Sequence, residues 1–350
     1  MKGQTMLSSS VIFFKIASMC LLMFFGYLSR RMKLVPDSFL GALSSYLLSI
    51  ASPCFIIYNI PRTITRESIV AYWYFPLLGA GLLAICDIFG WASARLLVIP
   101  NRRPTFRFLI AFPNWIFLAI AVIEPLFGDE GIRMVLLFNA GINAYLWSFG
   151  LSGFKPGTGW TLMKNIFLNI QIIATVIGMG LAVGFPFAAT IHNMTGAQLA
   201  ELPVHLGLTA AAWEGITFIG ITTLPLSIFQ IGLRLAAAPD EKTTGKLAIR
   251  KDNRTLAVCS TLRLIVAPVI IILTLIALIR LGLPLTKAEF LISVLIFSMP
   301  TGVTAMMVAD LYGGDTLLTA HTILWTTLAS LGTVPIIAWL AQLAAKTAFP

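Results

Sequence analysis

Two apolar stretches of the chain carry a proline with small polar neighbours near their middle. In the first stretch Pro113 is followed by Asn114, and in the second Pro300 is followed by Thr301 and Gly302. A proline inside a helix removes one backbone N–H donor and frees a carbonyl group, and lipid offers neither group a partner. Such a break is tolerated only where protein or a water-filled cavity receives the unpaired groups. The pattern therefore indicates a polar site in an otherwise apolar region.

The chemistry of these two breaks favours a carboxylate ligand. The N-terminus of a helix carries roughly half a positive charge and presents free amide donors to an anion. Asn114 can donate and accept hydrogen bonds, Thr301 adds a hydroxyl group, and Gly302 leaves room for a ligand beside the backbone. We predict that Pro113, Asn114, Pro300, Thr301 and Gly302 bind the substrate. For Asn114 and Thr301, the alternative is a structural hydrogen bond between helices.

Ionisable residues inside apolar stretches form the second group of candidates. A charge within a membrane is costly, so Asp87, Glu124, Arg263 and His321 are candidates for ion coupling or charge pairing. Asp87 and Arg263 have opposite charges and occupy corresponding helices in the two halves of the chain. The alternatives are that Glu124 lies at the membrane surface, that His321 is a packed polar residue, and that Asp87 and Arg263 lie near helix ends.

The composition excludes a water-soluble globular protein. Of 350 residues 58% are hydrophobic and 11% are charged, and the mean hydropathy is +0.91, whereas soluble proteins carry about 25% charged residues. The net charge of +10 comes from short basic clusters between apolar stretches, so we predict a lipid bilayer and not nucleic acid as the partner. The four cysteines have no CxxC spacing, and no HExxH, GxSxG or GxxxxGK[ST] motif is present. We therefore expect no metal, no cofactor and no enzymatic activity.

The apolar stretches predict an all-α polytopic membrane protein. A stretch of about 20 residues crosses a bilayer as a helix, because lipid forces the backbone to satisfy its own hydrogen bonds. We predict ten transmembrane helices, called spans 1 to 10 in chain order, at residues 9–28, 39–60, 69–98, 106–127, 131–150, 164–188, 209–235, 255–281, 287–309 and 315–343.

The order of the prolines indicates two repeats of five helices. Pro53 in span 2 and Pro113 in span 4 correspond to Pro225 in span 7 and Pro300 in span 9. Because five is an odd number, the second repeat must be inverted in the membrane relative to the first, as in many secondary transporters. We predict that spans 4 and 9 are broken at their prolines and cross there. The alternative is that prolines are simply frequent in membrane helices.

The repeats and the loop charges predict the domain boundaries and the orientation. The first repeat is predicted at residues 1–150, a cytoplasmic connecting loop at 151–163, and the second repeat at 164–350. The loops after odd-numbered spans contain about twice as many Lys and Arg residues as the termini and the other loops together. Basic loops face the cytoplasm, so both termini are predicted to lie outside the plasma (inner) membrane.

Short motifs in most of the predicted spans match a known pattern. They are Ser52-Pro53, Asn114, Phe127-Gly128, Asn143 with Trp147, Pro225-Leu226-Ser227, Gln230 to Leu235, Arg263 to Pro268, Ala309 to Asp315, Thr326-Thr327-Leu328 and Thr333-Val334-Pro335. With these motifs the sequence resembles the auxin efflux carrier family, within the superfamily of bile acid, arsenite and auxin-type transporters. The chain departs from the family where Trp115 follows Asn114 and where Ala121 stands in place of a common proline.

The resemblance implies an architecture and a substrate class. It implies that the repeats cross at spans 4 and 9, that spans 1, 2, 6 and 7 form a scaffold, and that the remaining spans move like an elevator. It adds Asn143 to the predicted substrate-binding residues and implies a homodimer. Plant members carry auxin and bacterial members are linked to dicarboxylates such as malate and malonate, so the implied substrate is a small organic anion.

The residues and the resemblance together predict a secondary transporter of a small carboxylate. Two alternatives remain from the sequence, namely a passive anion channel or uniporter and a membrane-embedded sensor of the same anion. Coupling to H⁺ or Na⁺ is left open, because neither a carboxylate pair nor a carbonyl cage can be read from residue types.

Overall fold

The computed structural model describes residues 9–36, 38–154, 169–184, 203–236 and 246–349. Within these ranges every regular element is helical, and the only β-type pairing is one isolated bridge. Six helical segments are long and apolar enough to cross a membrane, and they are Phe39–Thr63, Phe75–Leu97, Phe117–Gly153, Val204–Leu235, Asn253–Arg280 and Thr316–Ala348. The prediction of an all-α polytopic membrane protein is therefore confirmed, whereas the count of ten spans stays a prediction.

The described helices of the first half cover the predicted spans 1 to 5, with breaks inside spans 3 and 4. They are α1 (Ser9–Arg31), α2 (Phe39–Tyr46), α3 (Ser52–Thr63), α4 (Arg66–Ala71), α5 (Phe75–Leu97), α6 (Arg103–Ala111) and α7 (Phe117–Ser148). Spans 4 and 5 share α7, which is kinked at Gly128, where φ is 61°. A positive φ is easily adopted only by glycine, so this residue lets the chain turn between the two spans.

Eight helices are described in the second half of the chain. They are α8 (Ile170–Gly184), α9 (Val204–Ile221), α10 (Thr223–Leu235), α11 (Lys246–Thr261), α12 (Ala267–Arg280), α13 (Lys287–Ser298), α14 (Thr304–Tyr312) and α15 (Thr316–Ala348). Most of the predicted connecting loop at 151–163 and both ends of span 6 lie outside the described residues.

The structure corrects the prediction of span 3 as one helix at residues 69–98. The chain forms α4 and α5 with a turn between them at residues 72–74. Pro76 lies in the first turn of α5, where its ring would clash with the carbonyl group of Tyr72 in a continuous helix. The proline therefore starts a new helix.

Prolines elsewhere widen the helix without ending it. A π-helical turn at Leu47–Ala51 precedes Pro53, and another at Leu262–Val266 precedes Pro268. A wider turn accommodates the proline ring, which would otherwise collide with the carbonyl group four residues earlier. The second of these turns carries Arg263, which becomes important at the candidate site.

The described helices pack in two groups. The scaffold group contains α1, α2, α3, α8, α9 and α10, which pack mainly against one another. The core group contains α5, α6, α7, α11, α12, α13, α14 and α15, which also pack mainly among themselves. Contacts of α1 with α15 and of α3 with α7 join the two groups. Both helix breaks belong to the core group, between α6 and α7 and between α13 and α14.

Candidate functional site

The two helix breaks are paired with each other through their backbones. The Asn114 N–H donates to the Pro300 carbonyl oxygen at 2.7 Å, and the Gly302 N–H donates to the Phe112 carbonyl oxygen at 3.1 Å. A Cβ atom on Gly302 would lie 2.6 Å from the Pro113 carbonyl oxygen, so only glycine permits this approach. The extended residues of each break thus satisfy the backbone groups of the other.

The carboxyl ends of the two preceding half-helices converge on Arg263. Its guanidinium donates to the carbonyl oxygens of Ile110 at 2.9 Å, Ala111 at 3.3 Å and Met299 at 3.0 Å, and also to that of Phe297. Its side chain is completely buried. Helix C-termini carry partial negative charge and unpaired carbonyl groups, so the cation stabilises both ends together.

The following half-helices begin beside a cavity. It has a volume of about 50 Å³, which is room for a few water molecules or a small ligand. Helices α7 and α14 reach it with their first residues, and α3, α8 and α10 close it from the scaffold group. The described lining residues are Leu47, Leu48, Ser52, Trp115, Ile116, Phe117, Asn139, Asn143, Leu146, Trp147, Gln171, Ser227, Gln230, Val303, Thr304 and Met307.

Two residues that line this cavity each carry a donor without a hydrogen-bond partner among the described residues. These donors are the indole N–H of Trp147 and the amide NH₂ of Asn139, and both atoms are buried. The Asn139 oxygen accepts from the Trp115 indole at 2.9 Å and from the Asn143 amide at 2.7 Å. An indole nitrogen can only donate, so the orientation of the Asn139 amide is fixed with its NH₂ group unpaired.

The unpaired donors indicate a ligand of matching chemistry. A buried polar group without a partner costs about 1–3 kcal/mol, and such groups in native proteins usually receive water or a ligand. None of the described residues that line the cavity carries a charge. An acceptor-rich anion would satisfy the donors and would benefit from the two adjacent helix N-termini.

The scaffold wall of the cavity is polar and internally hydrogen-bonded. The Ser52 hydroxyl donates to the Gln171 side-chain oxygen at 2.9 Å, and the Gln171 amide donates to the Leu48 carbonyl oxygen at 3.2 Å. Gln230 donates to the Ser44 hydroxyl from the neighbouring α10. These amides link α2, α3, α8 and α10 and hold one side of the cavity in place.

Most of the predicted binding residues form the paired breaks and do not line the cavity. Pro113, Pro300, Thr301 and Gly302 are buried in the pairing, and the Asn114 side-chain oxygen accepts the Leu118 N–H at 3.3 Å at the start of α7. Asn143 alone among the six predicted binding residues lines the cavity.

Thr301 is held by two hydrogen bonds within the core group. Its hydroxyl donates to the Leu109 carbonyl oxygen at 3.0 Å, and its N–H donates to the Thr326 hydroxyl at 3.3 Å. Thr301 is therefore fixed to α6 through its hydroxyl and to α15 through its backbone N–H. Its role in binding stays a prediction.

The structure places the predicted coupling residues away from the cavity. Asp87 accepts hydrogen bonds from Arg107 and, at 2.8 Å, from the Tyr145 hydroxyl, so it fixes α6 and α7 to α5. Glu124 is exposed on α7 and His321 is half-buried on α15, and neither lines the cavity. Arg263 lies behind the paired breaks. Among the described residues there is no cluster of acidic, His or Cys side chains suited to a metal.

Sequence reasoning assigned no role to the two cavity-lining residues whose donors are unpaired. Asn139 carries an unpaired donor but was given no role, and Trp147 entered only as part of a motif. A usable signal exists, because Asn139 and Asn143 are four residues apart and lie on one face of the largely apolar part of α7 that follows Arg133. Buried amides in such helices are costly and mark functional or structural polar sites.

Comparison with protein families gives one match. A family model described as "Membrane transport protein" matches residues 11–163 and 160–338. No curated protein matches the sequence. The two matched segments together include both helix breaks and every described residue that lines the cavity.

Proposed function

The chain belongs to the membrane transport protein family that comprises the auxin efflux carriers, and we propose that it is a secondary transporter of a small organic anion. The members of this family are transporters and not enzymes. The observation that carries the proposal is the cavity at the paired breaks, whose wall contains the unpaired donors of Trp147 and Asn139. The ligand class with the best fit is a small carboxylate such as malate, malonate or an auxin-like acid.

The arrangement of charge supports an anion in preference to a cation. On one side of the breaks, Arg263 already occupies the negative ends of two half-helices. On the other side, the positive ends of α7 and α14 meet at the cavity, and no described lining residue is acidic. The net electrostatic preference of the cavity is therefore for a negative charge.

We propose that the ligand contacts residues around the breaks and not the backbone groups that pair the two breaks. In this arrangement Trp147, Asn139 and Asn143 donate to the carboxylate, and the first-turn amides of α7 and α14 add their dipoles. Pro113, Asn114, Pro300, Thr301 and Gly302 build the site by holding the two half-helix ends in register.

The proposed transporter has the architecture that the sequence predicts. Ten spans form two inverted five-helix repeats, at residues 1–150 and 164–350 with the connecting loop at 151–163, and spans 4 and 9 cross at their breaks. The core group moves against the scaffold group in the manner of an elevator. The observation in support is that the cavity lies between these groups, with lining residues from both.

The cellular setting is proposed from the charge pattern and the family. The protein is an integral protein of the plasma (inner) membrane with both termini outside, and it assembles as a homodimer. Coupling to H⁺ or Na⁺ is not assigned, since Asp87 is engaged by Arg107 and Tyr145.

Transport currents test the proposal directly. Purified protein in proteoliposomes on a solid-supported membrane is exposed to jumps of malate, malonate, succinate, lactate or indole-3-acetate, with and without Na⁺ or a pH gradient. We expect a transient current that saturates with the concentration of at least one acid. Trp147→Phe keeps an aromatic ring but removes the unpaired donor, so its half-saturation concentration should rise about 10- to 150-fold, the loss of one hydrogen bond to a charged ligand.

The matched control is Trp339→Phe, which changes an exposed tryptophan on α15 and should leave the current unchanged. Electroneutral exchange is detected by counterflow of the radiolabelled acid. Counterflow also separates a carrier from a channel, because only a carrier transiently accumulates labelled substrate against its gradient while unlabelled substrate leaves. Absence of both current and counterflow for every acid would contradict the proposal.

A further inference from the structure

A second, narrower cavity adjoins the first. Its volume is about 10 Å³, which is enough for about one water molecule. Gln230, Val303 and Met307 line both cavities, so the two meet at these side chains. The second cavity therefore extends the first one along α10 and α14.

The second cavity carries a cation that the first one lacks. Arg234 lines it and follows Gln230 by four residues on α10, a rise of about 6 Å toward the end of that helix. An Arg234 nitrogen donates to the Ser44 hydroxyl at 3.0 Å, and Gln230 donates to the same hydroxyl. The shared hydroxyl holds the guanidinium beside Gln230 at this cavity.

The position of Arg234 identifies one face of the membrane region. It is the penultimate residue of α10, which ends at Leu235, and Leu43 of α2 packs in one cluster with Leu233. The start of α2 and the end of α10 therefore lie at the same face. The far end of α3, at Thr63, lies at the opposite face.

Polar contacts join the scaffold and core groups at that opposite face. Arg133 of α7 donates to the carbonyl oxygen of Thr63, and Arg62 forms an ion pair with Asp129 at 3.6 Å. Each contact joins the end of α3 to the part of α7 that follows Gly128. The two groups are thus tied together on the side away from Arg234.

We propose that the second cavity is the access path of the anion, with Arg234 as its attracting charge and Met307 as its neck. A fixed positive charge beside low-dielectric walls raises the local concentration and the association rate of an anion. Methionine has an unbranched, flexible side chain, so Met307 can move aside for a ligand larger than the neck. The assignment rests on the proposed function, because it supplies the route to the binding cavity.

Chemical labelling of Met307→Cys tests the path without requiring transport. The purified variant reacts with an anionic methanethiosulfonate (the 2-sulfonatoethyl reagent) or a cationic one (the 2-trimethylammonioethyl reagent), at low and at high salt. The parent protein gives the background reaction of the native cysteines. We expect the anionic reagent to react several-fold faster at low salt and the preference to shrink at high salt, because salt screens the Arg234 charge.

The matched variants isolate the contribution of Arg234. Arg234→Gln in the Met307→Cys background should abolish the preference for the anionic reagent, whereas Arg31→Gln should preserve it. Arg31 is an exposed basic residue at the end of α1, and it lines neither cavity. Where Met307→Cys does not give a monodisperse protein, Met306→Cys, which also lines the second cavity, replaces it.

The outcomes distinguish the access path from the transport proposal. An unchanged reagent preference in Arg234→Gln, or no reaction at Met307→Cys and Met306→Cys, overturns the path even if wild-type currents are normal. A preference that depends on Arg234, in a protein that carries none of the acids, supports an anion path and contradicts the proposed function.

Discussion

The two sides of the paired breaks differ in whether the protein itself supplies partners for the polar groups there. On the carbonyl side, one buried arginine binds four carbonyl groups from the ends of α6 and α13. On the amide side, α7 and α14 begin at a cavity whose wall holds two donors without partners in the described chain. The first side is a finished structural joint, and the second has the features of a site completed by a ligand.

Under the proposed function, the paired breaks serve both folding and binding. A broken helix exposes carbonyl groups at one end and amides at the other. Filling the carbonyl side with a side chain makes the break stable when no ligand is bound. Under the proposed function, the unpaired donors on the amide side bind the anion.

The largest expected effect comes from removing the cation on the carbonyl side. Arg263→Met keeps a long side chain but removes its charge. The carbonyl groups of both half-helices are then left without a charged donor. We expect a loss of more than about 3 kcal/mol of stability, because several charge-assisted hydrogen bonds disappear and buried acceptors stay unpaired. Thermal unfolding in detergent measures the loss.

Arg263→Lys is the graded comparison for this change. It keeps the charge but has no planar fork to reach both helix ends at once. Its stability should fall between those of the wild type and Arg263→Met. A stable, monodisperse Arg263→Met protein would show that the guanidinium does not hold the joint.

The second effect comes from separating the two breaks. In Gly302→Ala the new Cβ atom would lie 2.6 Å from the Pro113 carbonyl oxygen, so one break must move. We expect a loss of about 1–3 kcal/mol, the usual cost of overpacking. Gly332→Ala on α15 is the control, since a Cβ atom there meets nothing within 4 Å. Equal melting temperatures for the two variants would refute the close backbone pairing.

The sequence predicts the positions of the two breaks but not the backbone pairing between them. Pro113 and Pro300 mark the interruptions because a proline has no N–H to donate. The half-helices restart only at Phe117 and Thr304, because the residues in between pair with the other break. That delay shifts the cavity away from Asn114 and Thr301, and no local pattern reveals it.

The charged residues inside the spans are likewise predictable from the sequence, whereas their partners are not. Asp87 and Arg263 are recognisable from the sequence as costly residues that need partners. Their partners are a side chain 20 residues away for Asp87 and carbonyl groups from two distant helices for Arg263. Only the tertiary arrangement supplies those contacts, so sequence reasoning located the residues without finding their roles.

A smaller effect is expected at Thr301. Thr301→Val removes the hydroxyl that donates to the Leu109 carbonyl oxygen at 3.0 Å, which should cost about 1 kcal/mol, the net value of one hydrogen bond. Thr347→Val removes the corresponding hydrogen bond to Ala344 at an exposed position and should change the stability less. The two melting curves provide the comparison, and a larger effect at Thr347 would count against the assignment.

The smallest effect on stability is expected on the amide side. Trp147→Phe removes a buried N–H that has no partner among the described residues, together with part of the indole ring. Trp115→Phe removes the same atoms and also the hydrogen bond to Asn139 at 2.9 Å, so Trp147→Phe should cost less stability than Trp115→Phe. The melting temperatures of the two variants without added acid are the measurement. A loss at Trp147 as large as the loss at Trp115 would mean that this donor already has a structural role and is not reserved for a ligand.

Ligand-dependent thermal unfolding of the purified protein tests the central contrast most directly. The melting temperature is measured with increasing malate, malonate, succinate, lactate or indole-3-acetate, and separately with NaCl against choline chloride. Binding to the folded state raises the melting temperature in proportion to the logarithm of ligand concentration above the Kd. We expect at least one carboxylate to stabilise the wild type and to do so much less in Trp147→Phe. Stabilisation by Na⁺ and by none of the acids would contradict the account.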